Sequence, residues 1–350
     1  MGRRMGIVGA LVACGLLIGT GVHAQDPVLS PDGWLVFEHF GQKPDGSSPE
    51  LDFDQRWIWL AHPDGSGLHE LAPGMPVEGK TSPDVSPDGR RVVFNSWLPR
   101  AVLWEVAIEG GEPRALSDGC SGMENECMEW DPAYSADGER VAFVHVGWDD
   151  GAGYTEIGIR DLAGGPATYL TSTRVPLADG DMGQPSWAPD GSRIAYHVSG
   201  VRVPHPGNND YPSSIEIRIV DVDGSEPSTL TTPAGTDAAD ADWSPDGSRI
   251  VYSTVGYRES EGVGDVRPAI YSIKPDGSDP QLLCLDGRDV GCTAPTWLPG
   301  GDTIMYWGFR TWHLMDADGS GKHPIDAAHL TWFADGLGYG YFATWVPPQE

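Results

Sequence analysis

The chain has 350 residues, with 51 Asp and Glu residues against 22 Lys and Arg residues, and its formal net charge is −29. So acidic a surface repels phosphate backbones and anionic lipids, which argues against nucleic-acid binding and against membrane-surface binding. The same charge is compatible with a basic protein partner or with bound cations.

The first 24 residues read as a secretory signal peptide. Arg3 and Arg4 form a basic region, residues 7–18 form an apolar core, and Val22-His23-Ala24 resembles a small-x-small cleavage site. The sequence therefore predicts an exported protein, periplasmic or extracellular, whose mature part begins at residue 25.

A lipoprotein signal is the alternative for the same segment. Residues 11–14 end in Cys14 and fit a lipobox, although the apolar core continues past that cysteine. The apolar stretch is short and rich in glycine for a retained membrane span, and no other segment has the length and apolar character to cross a bilayer.

A tetrapeptide of the Ser-Pro-Asp-Gly type recurs along residues 25–350. Its first six glycines are 49 to 56 residues apart. A period of this size is typical of repeat architectures, in which each repeat is one supersecondary unit. The copies are Ser30-Pro31-Asp32-Gly33, Ser86-Pro87-Asp88-Gly89, Ser135-Ala136-Asp137-Gly138, Ala188-Pro189-Asp190-Gly191, Ser244-Pro245-Asp246-Gly247 and Leu298-Pro299-Gly300-Gly301, with a degenerate seventh at Phe333-Ala334-Asp335-Gly336.

Each repeat predicts four short strands. A strand with an aromatic or apolar end precedes the Pro-Asp-Gly turn, and an alternating strand such as residues 193–198 follows it. A third strand, such as residues 215–220, ends in a second hairpin turn at Asp223-Gly224, and a short fourth strand at residues 228–231 completes the unit. Four antiparallel strands make one propeller blade.

The predicted fold is therefore all-β, a six-bladed β-propeller that fills residues 25–350. Blades begin near residues 26, 82, 131, 184, 240 and 294, and residues 329–346 supply closing strands that pair with the first blade. Seven blades is the alternative, because Trp332 fits the motif well.

The chain resembles the TolB-type propeller repeat family through these Ser-Pro-Asp-Gly copies and through Trp187, Trp243 and Trp297, which precede three of them. The resemblance implies the fold and does not specify a function. TolB itself has an additional N-terminal α/β domain, for which there is no room between the leader and the first blade. The resemblance is therefore to the propeller alone, and it does not imply a role in the Tol–Pal system.

Four cysteines remain beyond the leader and form two close pairs. Cys120 and Cys127 precede the third turn motif, and Cys284 and Cys292 precede the sixth. In an oxidising compartment these pairs predict two local disulfides. A four-cysteine zinc site is disfavoured, because the gaps are wider than Cys-x2-Cys and the pairs lie in distant blades.

Other motifs do not indicate an activity. Residues 74–81 match the Walker A pattern, but Ser82 and Pro83 follow directly, so no helix can begin there to hold a phosphate. The sequence contains neither Gly-x-Ser-x-Gly nor His-Glu-x-x-His. The Asp-Gly turns lack the further ligands of a calcium loop and are explained by hairpin geometry.

Strand direction places the long connections on one face of the propeller, where binding sites are usually presented. These connections are residues 41–55, 147–155, 200–214 and 256–268. Candidate binding residues in or beside them are Trp148, Asp149, His197, Arg202, His205, Asp210 and Tyr211. Acidic inter-blade segments add Asp181, Asp240 and Asp242, which we expect to ring the mouth of the central channel.

These observations predict a non-catalytic, exported and monomeric scaffold that binds a protein or peptide on its long-loop face. No cofactor is expected, except that the acidic channel mouth is a place where a cation such as calcium could sit. The alternative is a lyase or hydrolase with a site at the channel mouth, for which the candidates are His197, His205, Asp181 and Asp242.

Overall fold

The computed structural model describes residues 33–40, 56–75, 79–97, 101–117, 128–200, 202–205, 208–212, 215–230, 237–255, 268–285, 292–308, 311–325 and 343–346. Within them the regular structure consists of strands, without a helix. The leader, Cys14 and the cysteine pair Cys120 and Cys127 lie outside the described residues.

The strands form six four-stranded antiparallel sheets, which are the blades. Blade 1 contains β1 (Trp34–Phe40), β2 (Arg56–Ala61) and β3 (His69–Glu70), and blade 2 contains β4 (Thr81–Val85), β5 (Arg91–Ser96), β6 (Val102–Ala107) and β7 (Arg114–Ala115). Blade 3 contains β8 (Met128–Tyr134), β9 (Arg140–Asp149), β10 (Ala152–Asp161) and β11 (Thr168–Pro176).

Blade 4 contains β12 (Gly180–Trp187), β13 (Arg193–Gly200), β16 (Ile215–Asp221) and β17 (Ser228–Thr229), with the hairpin of β14 (Arg202–His205) and β15 (Asn208–Pro212) inserted after β13. Blade 5 contains β18 (Asp237–Trp243), β19 (Ile250–Val255), β20 (Ala269–Ile273) and β21 (Gln281–Leu285). Blade 6 contains β22 (Thr293–Trp297), β23 (Thr303–Gly308), β24 (Thr311–Asp316) and β25 (His323–Pro324), and β26 (Ala343–Val346) completes blade 1.

The ring closes through β26, which pairs antiparallel with β1 and becomes the innermost strand of blade 1. In this pairing Trp34 lies opposite Val346 and Phe37 lies opposite Ala343. The predicted six blades and the predicted closing strand are confirmed, and the seven-bladed alternative is wrong because the last strand is used to complete the first blade. No helix among the described residues has the length and hydropathy of a membrane span.

The turn motif owes its sequence to side-chain hydrogen bonds within it. In blade 2 the Ser86 hydroxyl donates to Asp88 Oδ1 at 2.6 Å, and that oxygen also accepts the Arg90 amide at 3.1 Å. Gly89 follows with φ of 67°, where a side chain would be strained. The hydrogen bond that the Ser86 hydroxyl donates keeps the pKa of Asp88 below its usual value. Ser86, Asp88 and Gly89 therefore each stabilise the turn.

The aromatic residue that ends an innermost strand packs between two blades. Trp187 is buried, and its indole Nε1 donates to the carbonyl of Ala133 in blade 3 at 3.1 Å. A guanidinium from the preceding blade covers the ring, with Arg140 Cζ 4.6 Å from its centroid. Arg193 lies over Trp243 in the same way at 4.8 Å. These contacts join consecutive blades through both dispersion and cation–π attraction.

Two of the long connections contain regular hairpins. Residues 147–155 form a tight hairpin between β9 and β10, in which Asp149 pairs with Ala152. The turn residues Asp150 and Gly151 have φ of 50° and 82°, as a two-residue hairpin turn requires. The insertion after β13 is likewise a two-stranded hairpin, formed by β14 and β15. The sequence signal for the first hairpin was its Asp-Gly pair.

Candidate functional site: the acidic central channel

The innermost strands of blades 2 to 6 enclose a central cavity of about 340 Å³. Neighbouring innermost strands contact one another around the ring. Among the described residues that line the cavity, the charged side chains are all aspartates, namely Asp84, Asp131, Asp240 and Asp242. The rest of the lining is mostly proline, alanine, serine and aromatic residues, so all the charge on the described wall of the channel is negative.

Each of these five strands carries a bulge at the same place. The bulged residue lies three positions before the strand-ending residue, has φ between 48° and 55°, and coincides with a shift in the pairing register. None of the five is glycine, so each holds a conformation that costs free energy. A bulge re-aims the following side chains and increases local twist. The bulged residues are Ser82, Asp131, Gln184, Asp240 and Ala294.

Proline follows the bulged residue in four of the five strands. The residues are Pro83, Pro132, Pro185 and Pro295, and all four line the cavity. A proline has a carbonyl acceptor but no N–H donor. Proline therefore removes a backbone donor from four of the five strands at this level, which suits a ligand that is rich in hydrogen-bond donors.

Asp242 holds three blades together. Its Oδ1 accepts the Ser186 hydroxyl of blade 4 at 2.9 Å, and its Oδ2 accepts the Trp297 amide of blade 6 at 2.8 Å and the Thr296 hydroxyl at 3.1 Å. Asp84 has a similar place in blade 2, where its Oδ2 accepts the Tyr134 amide of blade 3 at 2.7 Å. These two carboxylates fasten the innermost strands together.

Asp131 bridges blades 2, 3 and 4 at the level of the bulges. Its Oδ1 accepts the Ser82 hydroxyl at 2.6 Å, and its Oδ2 accepts the Gln184 amide at 3.1 Å. The backbone amide of Asp131 donates to Asn95 Oδ1 at 3.2 Å. Asp240 makes fewer hydrogen bonds than Asp131. The only hydrogen bond described for its side chain comes from the Ser253 hydroxyl at 2.5 Å.

A fully buried glutamate continues this polar level into blade 1. Glu38 accepts the Thr81 hydroxyl, the Ser82 amide at 3.2 Å and the Arg56 guanidinium at 3.1 Å. Since Ser82 in turn donates to Asp131, hydrogen bonds connect blade 1 to blade 4 around one side of the channel.

Burial controls the ionisation of these acids. Desolvation raises the pKa of Asp131, Asp242 and Glu38, in each case as the largest effect. Burial also raises the pKa of Asp84 to about 7, with a further increase from the charge of Asp242. A cation in the channel would favour the ionised carboxylates, so cation binding and proton release are coupled here.

Asp84 predicts a pH dependence of stability. Because its pKa is raised above the ordinary value of 3.8, the folded protein binds the proton more tightly than the unfolded chain. The resulting stabilisation is complete below about pH 4 and is lost as pH rises through 7. We expect Asp84 to contribute a loss of roughly 2 kcal/mol in the free energy of unfolding between pH 5 and pH 8.

Urea denaturation of the wild type and Asp84→Asn at both pH values measures this contribution, because the amide does not titrate. The matched control is Asp64→Asn in an exposed turn, where hydrogen bonds from Ser66 lower the pKa instead. Equal pH dependence in the wild type and Asp84→Asn would contradict the assignment.

The structure brings several of the predicted binding residues to this channel. Asp240 and Asp242 line it. Asp181, on β12, lies close enough for its charge to raise the pKa of Asp131. His197 and Asp131 flank Gly183, where a β-carbon would lie 2.8 Å from His197 Cε1 and 3.0 Å from Asp131 Oδ2.

The other predicted residues lie elsewhere. Asp149 pairs with Arg174 at 2.6 Å at the end of the blade 3 hairpin, and Trp148 packs over Gly153 in the same hairpin. Arg202 and His205 belong to β14, while Asp210 and Tyr211 belong to β15, for which the structure describes the backbone pairing.

Two further sequence features have structural explanations. Cys284 and Cys292 form a disulfide with their Cα atoms 6.0 Å apart.

In the segment that matches the Walker A pattern, the Lys80 ammonium is buried. It donates to Glu70 at 2.5 Å and to the carbonyls of Leu71 and Ala72 at 3.0 and 3.1 Å. The Lys80 ammonium therefore has hydrogen-bond partners at the junction of blades 1 and 2.

Sequence reasoning overlooked Glu38, Ser82, Asp84, Asn95 and Gln184. Asp84 had a usable signal, because it precedes the strand-ending residue Val85 just as Asp242 precedes Trp243. Aligning the repeats at that position would have placed both carboxylates on the channel. Within the described residues, no group of three His, Cys, Asp or Glu side chains is arranged to hold a metal ion.

No protein-family model matches the chain. An uncharacterized protein of Agrobacterium fabrum is 31% identical over 125 residues, which is 34% of this chain and 40% of that protein, so the match spans well under half of the relative's length. TolB from Acinetobacter baumannii superposes with a TM-score of 0.57 at 17% identity, covering 90% of this chain and 67% of TolB.

An oligogalacturonate lyase from Vibrio parahaemolyticus superposes with a TM-score of 0.53 at 15% identity, covering 84% of this chain and 79% of the lyase. At these identities the likeness concerns the fold. A TolB protein and a lyase that share one architecture do not by themselves assign a function to a third chain. The six-bladed ring, the turn motif and these superpositions together make the fold a TolB-like β-propeller.

Proposed function

We propose that the protein is an exported, non-catalytic scaffold whose central channel holds a basic segment of a partner protein. The observation that carries this proposal is the charge of the channel wall. Every charged side chain in its described lining is an aspartate, and no Lys, Arg or His is among those lining residues. A ligand that enters must be neutral or cationic.

A cationic segment also matches the hydrogen-bonding character of the wall. Ammonium and guanidinium groups are donors without acceptors, whereas the described lining of the channel holds four aspartates and many prolines, which have no backbone donor. The cavity of about 340 Å³ is large enough for a few side chains and too small for a folded domain. An extended peptide or a terminal segment is therefore the form of ligand that fits.

Export is supported by two independent features. The first 24 residues have the layout of a secretory signal, and the described part of the chain contains the Cys284–Cys292 disulfide. Structural disulfides persist in oxidising compartments and are rare in the cytosol. The proposed compartment is the periplasm or the extracellular space.

The test is a binding measurement with purified protein and labelled decapeptides. We expect a Lys/Arg-rich peptide to bind with an affinity that falls as salt rises, and a Glu-rich peptide of the same length not to bind. Asp240→Asn removes one channel charge and keeps the side-chain shape. It should weaken binding of the basic peptide by about three- to tenfold.

The matched control is Asp223→Asn, which removes the same charge from an exposed hairpin turn. It should leave the affinity of the basic peptide within about twofold of wild type, since exposed charges are screened by salt. Equal effects of the two substitutions would contradict channel binding, and so would comparable binding of the acidic peptide.

A second candidate function is a lyase or hydrolase activity. It is favoured by one observation, the placement of His197 and Asp131 on either side of Gly183 with Asp181 nearby. An imidazole beside carboxylates is an arrangement used for general acid–base catalysis. Mass spectrometry of ligands recovered from the binding assay separates the two candidates, because a scaffold returns its ligand unchanged.

A further inference from the structure

Two indole rings stack at the junction of blades 2 and 3. Trp97 follows directly after β5, and Trp130 lies within β8. Their ring centroids are 5.9 Å apart and their planes differ by 29°. Trp97 is 40% exposed, so part of this aromatic pair is open to a ligand.

The aromatic pair adjoins the channel. Trp130 immediately precedes Asp131, whose side chain lines the cavity, and consecutive Cα atoms are about 3.8 Å apart. Trp97 lies two residues after Asn95, and the Asn95 side chain accepts the Asp131 amide at 3.2 Å. The end of β5 and the start of β8 therefore carry both indoles close in sequence to the channel carboxylate.

This protein repeatedly places arginine on aromatic rings. Arg140 covers Trp187, Arg193 covers Trp243, and Arg174 lies 3.9 Å from the Tyr154 ring centroid. In the part of the chain that the structure describes, no arginine or lysine covers the rings of Trp97 or Trp130. The exposed 40% of Trp97 is therefore the part of the pair that a cation supplied from outside can contact.

We infer that the Trp97–Trp130 pair is a subsite for an arginine of the partner's basic segment, next to the cation that enters the channel. This inference rests on the proposed function and specifies its ligand. A planar guanidinium stacks on an indole face more extensively than an ammonium does, and it loses less hydration in doing so. The surrounding negative charge of the protein adds a long-range attraction for the same group.

The experiment compares two decapeptides that differ only in having arginine or lysine at every basic position. We expect wild type to bind the arginine peptide more tightly than the lysine peptide. Trp97→Ala should weaken binding of the arginine peptide by about three- to tenfold and affect the lysine peptide less. Trp97→Phe, which keeps a ring, should retain part of the preference for arginine.

Leu177→Ala is the matched control, because Leu177 is 41% exposed and packs over Gly153 in blade 3, on a separate part of the surface. It should leave both affinities unchanged. Circular dichroism and the urea midpoint establish that each variant is folded before binding is compared.

The outcomes separate the two proposals. If wild type and Asp240→Asn behave as proposed but Trp97→Ala binds both peptides like wild type, the arginine subsite is overturned and the channel function stands. An equal loss for both peptides would indicate plain apolar contact and would also overturn the subsite. Competition by neutral oligosaccharides, without discrimination between arginine and lysine, would overturn it in favour of a sugar platform. If neither peptide binds wild type, both proposals fail.

Discussion

Deletion of residues 343–350 is expected to open the ring and lower the free energy of unfolding by about 5 kcal/mol or more. The deletion removes β26, whose four residues pair with Trp34–Phe37 of β1. Each lost backbone hydrogen bond costs about 1 kcal/mol, and the buried core of blade 1 becomes accessible from the channel side. Urea denaturation and size-exclusion chromatography would report lower stability and self-association through the exposed strand edge.

Deletion of residues 347–350 alone is the matched control, because it leaves the whole of β26 in place. It should leave the urea midpoint unchanged. Adding a synthetic peptide of residues 343–350 to the larger deletion should restore part of the stability, since the missing strand can then bind in its own position. If the variant that lacks residues 343–350 had the same urea midpoint as the wild type, the pairing of β26 with β1 would not be what closes the ring.

Substitution of Asp242 by alanine is expected to lower the free energy of unfolding by about 3–5 kcal/mol. The side chain is partly buried and accepts hydrogen bonds from Ser186, Thr296 and the Trp297 amide, so its removal leaves donors of blades 4 and 6 without their acceptor. An unsatisfied buried donor costs about 1–3 kcal/mol, and the alanine also leaves a small cavity. Chemical denaturation at pH 7 would measure the loss.

Two further variants show whether the loss comes from the hydrogen bonds. Asp240→Ala lies two residues earlier on the same strand and removes the one described side-chain contact, to Ser253, so it should cost much less. Asp242→Asn retains one acceptor oxygen and should have an intermediate effect. A loss at Asp242 no larger than the loss at Asp240 would refute its role as an inter-blade fastener.

The regular part of the fold was predictable because its signals are local. The bonds of Ser86, Asp88 and Gly89 lie within one turn, so the tetrapeptide alone specifies a hairpin and its position. The six complete repeats then gave the number of blades. The use of the final strand in blade 1 followed from the incomplete last repeat.

The candidate site was predictable only in outline. Acidic inter-blade segments pointed to carboxylates at the channel, and Asp240 and Asp242 do line it. The bulges escaped prediction because residues as different as Ser82, Gln184 and Ala294 share one left-handed conformation, which their side chains do not signal. The bonds of Asp131 depend on blades about 50 residues away in sequence, as for Ser82 and Gln184, and no local pattern reports such contacts.

Because β1 pairs with β26, blade 1 can be completed only after the last strand of the chain has been synthesised. Blades 2 to 6 are each built from strands close in sequence, so each can form once its own segment has emerged. Blade 1 must wait for the last strand, which leaves the inner edge of β1 open throughout synthesis. During that interval a β26 from a second molecule can occupy the edge as well as the molecule's own strand, so we expect strand-exchanged dimers to form when the protein folds at high concentration.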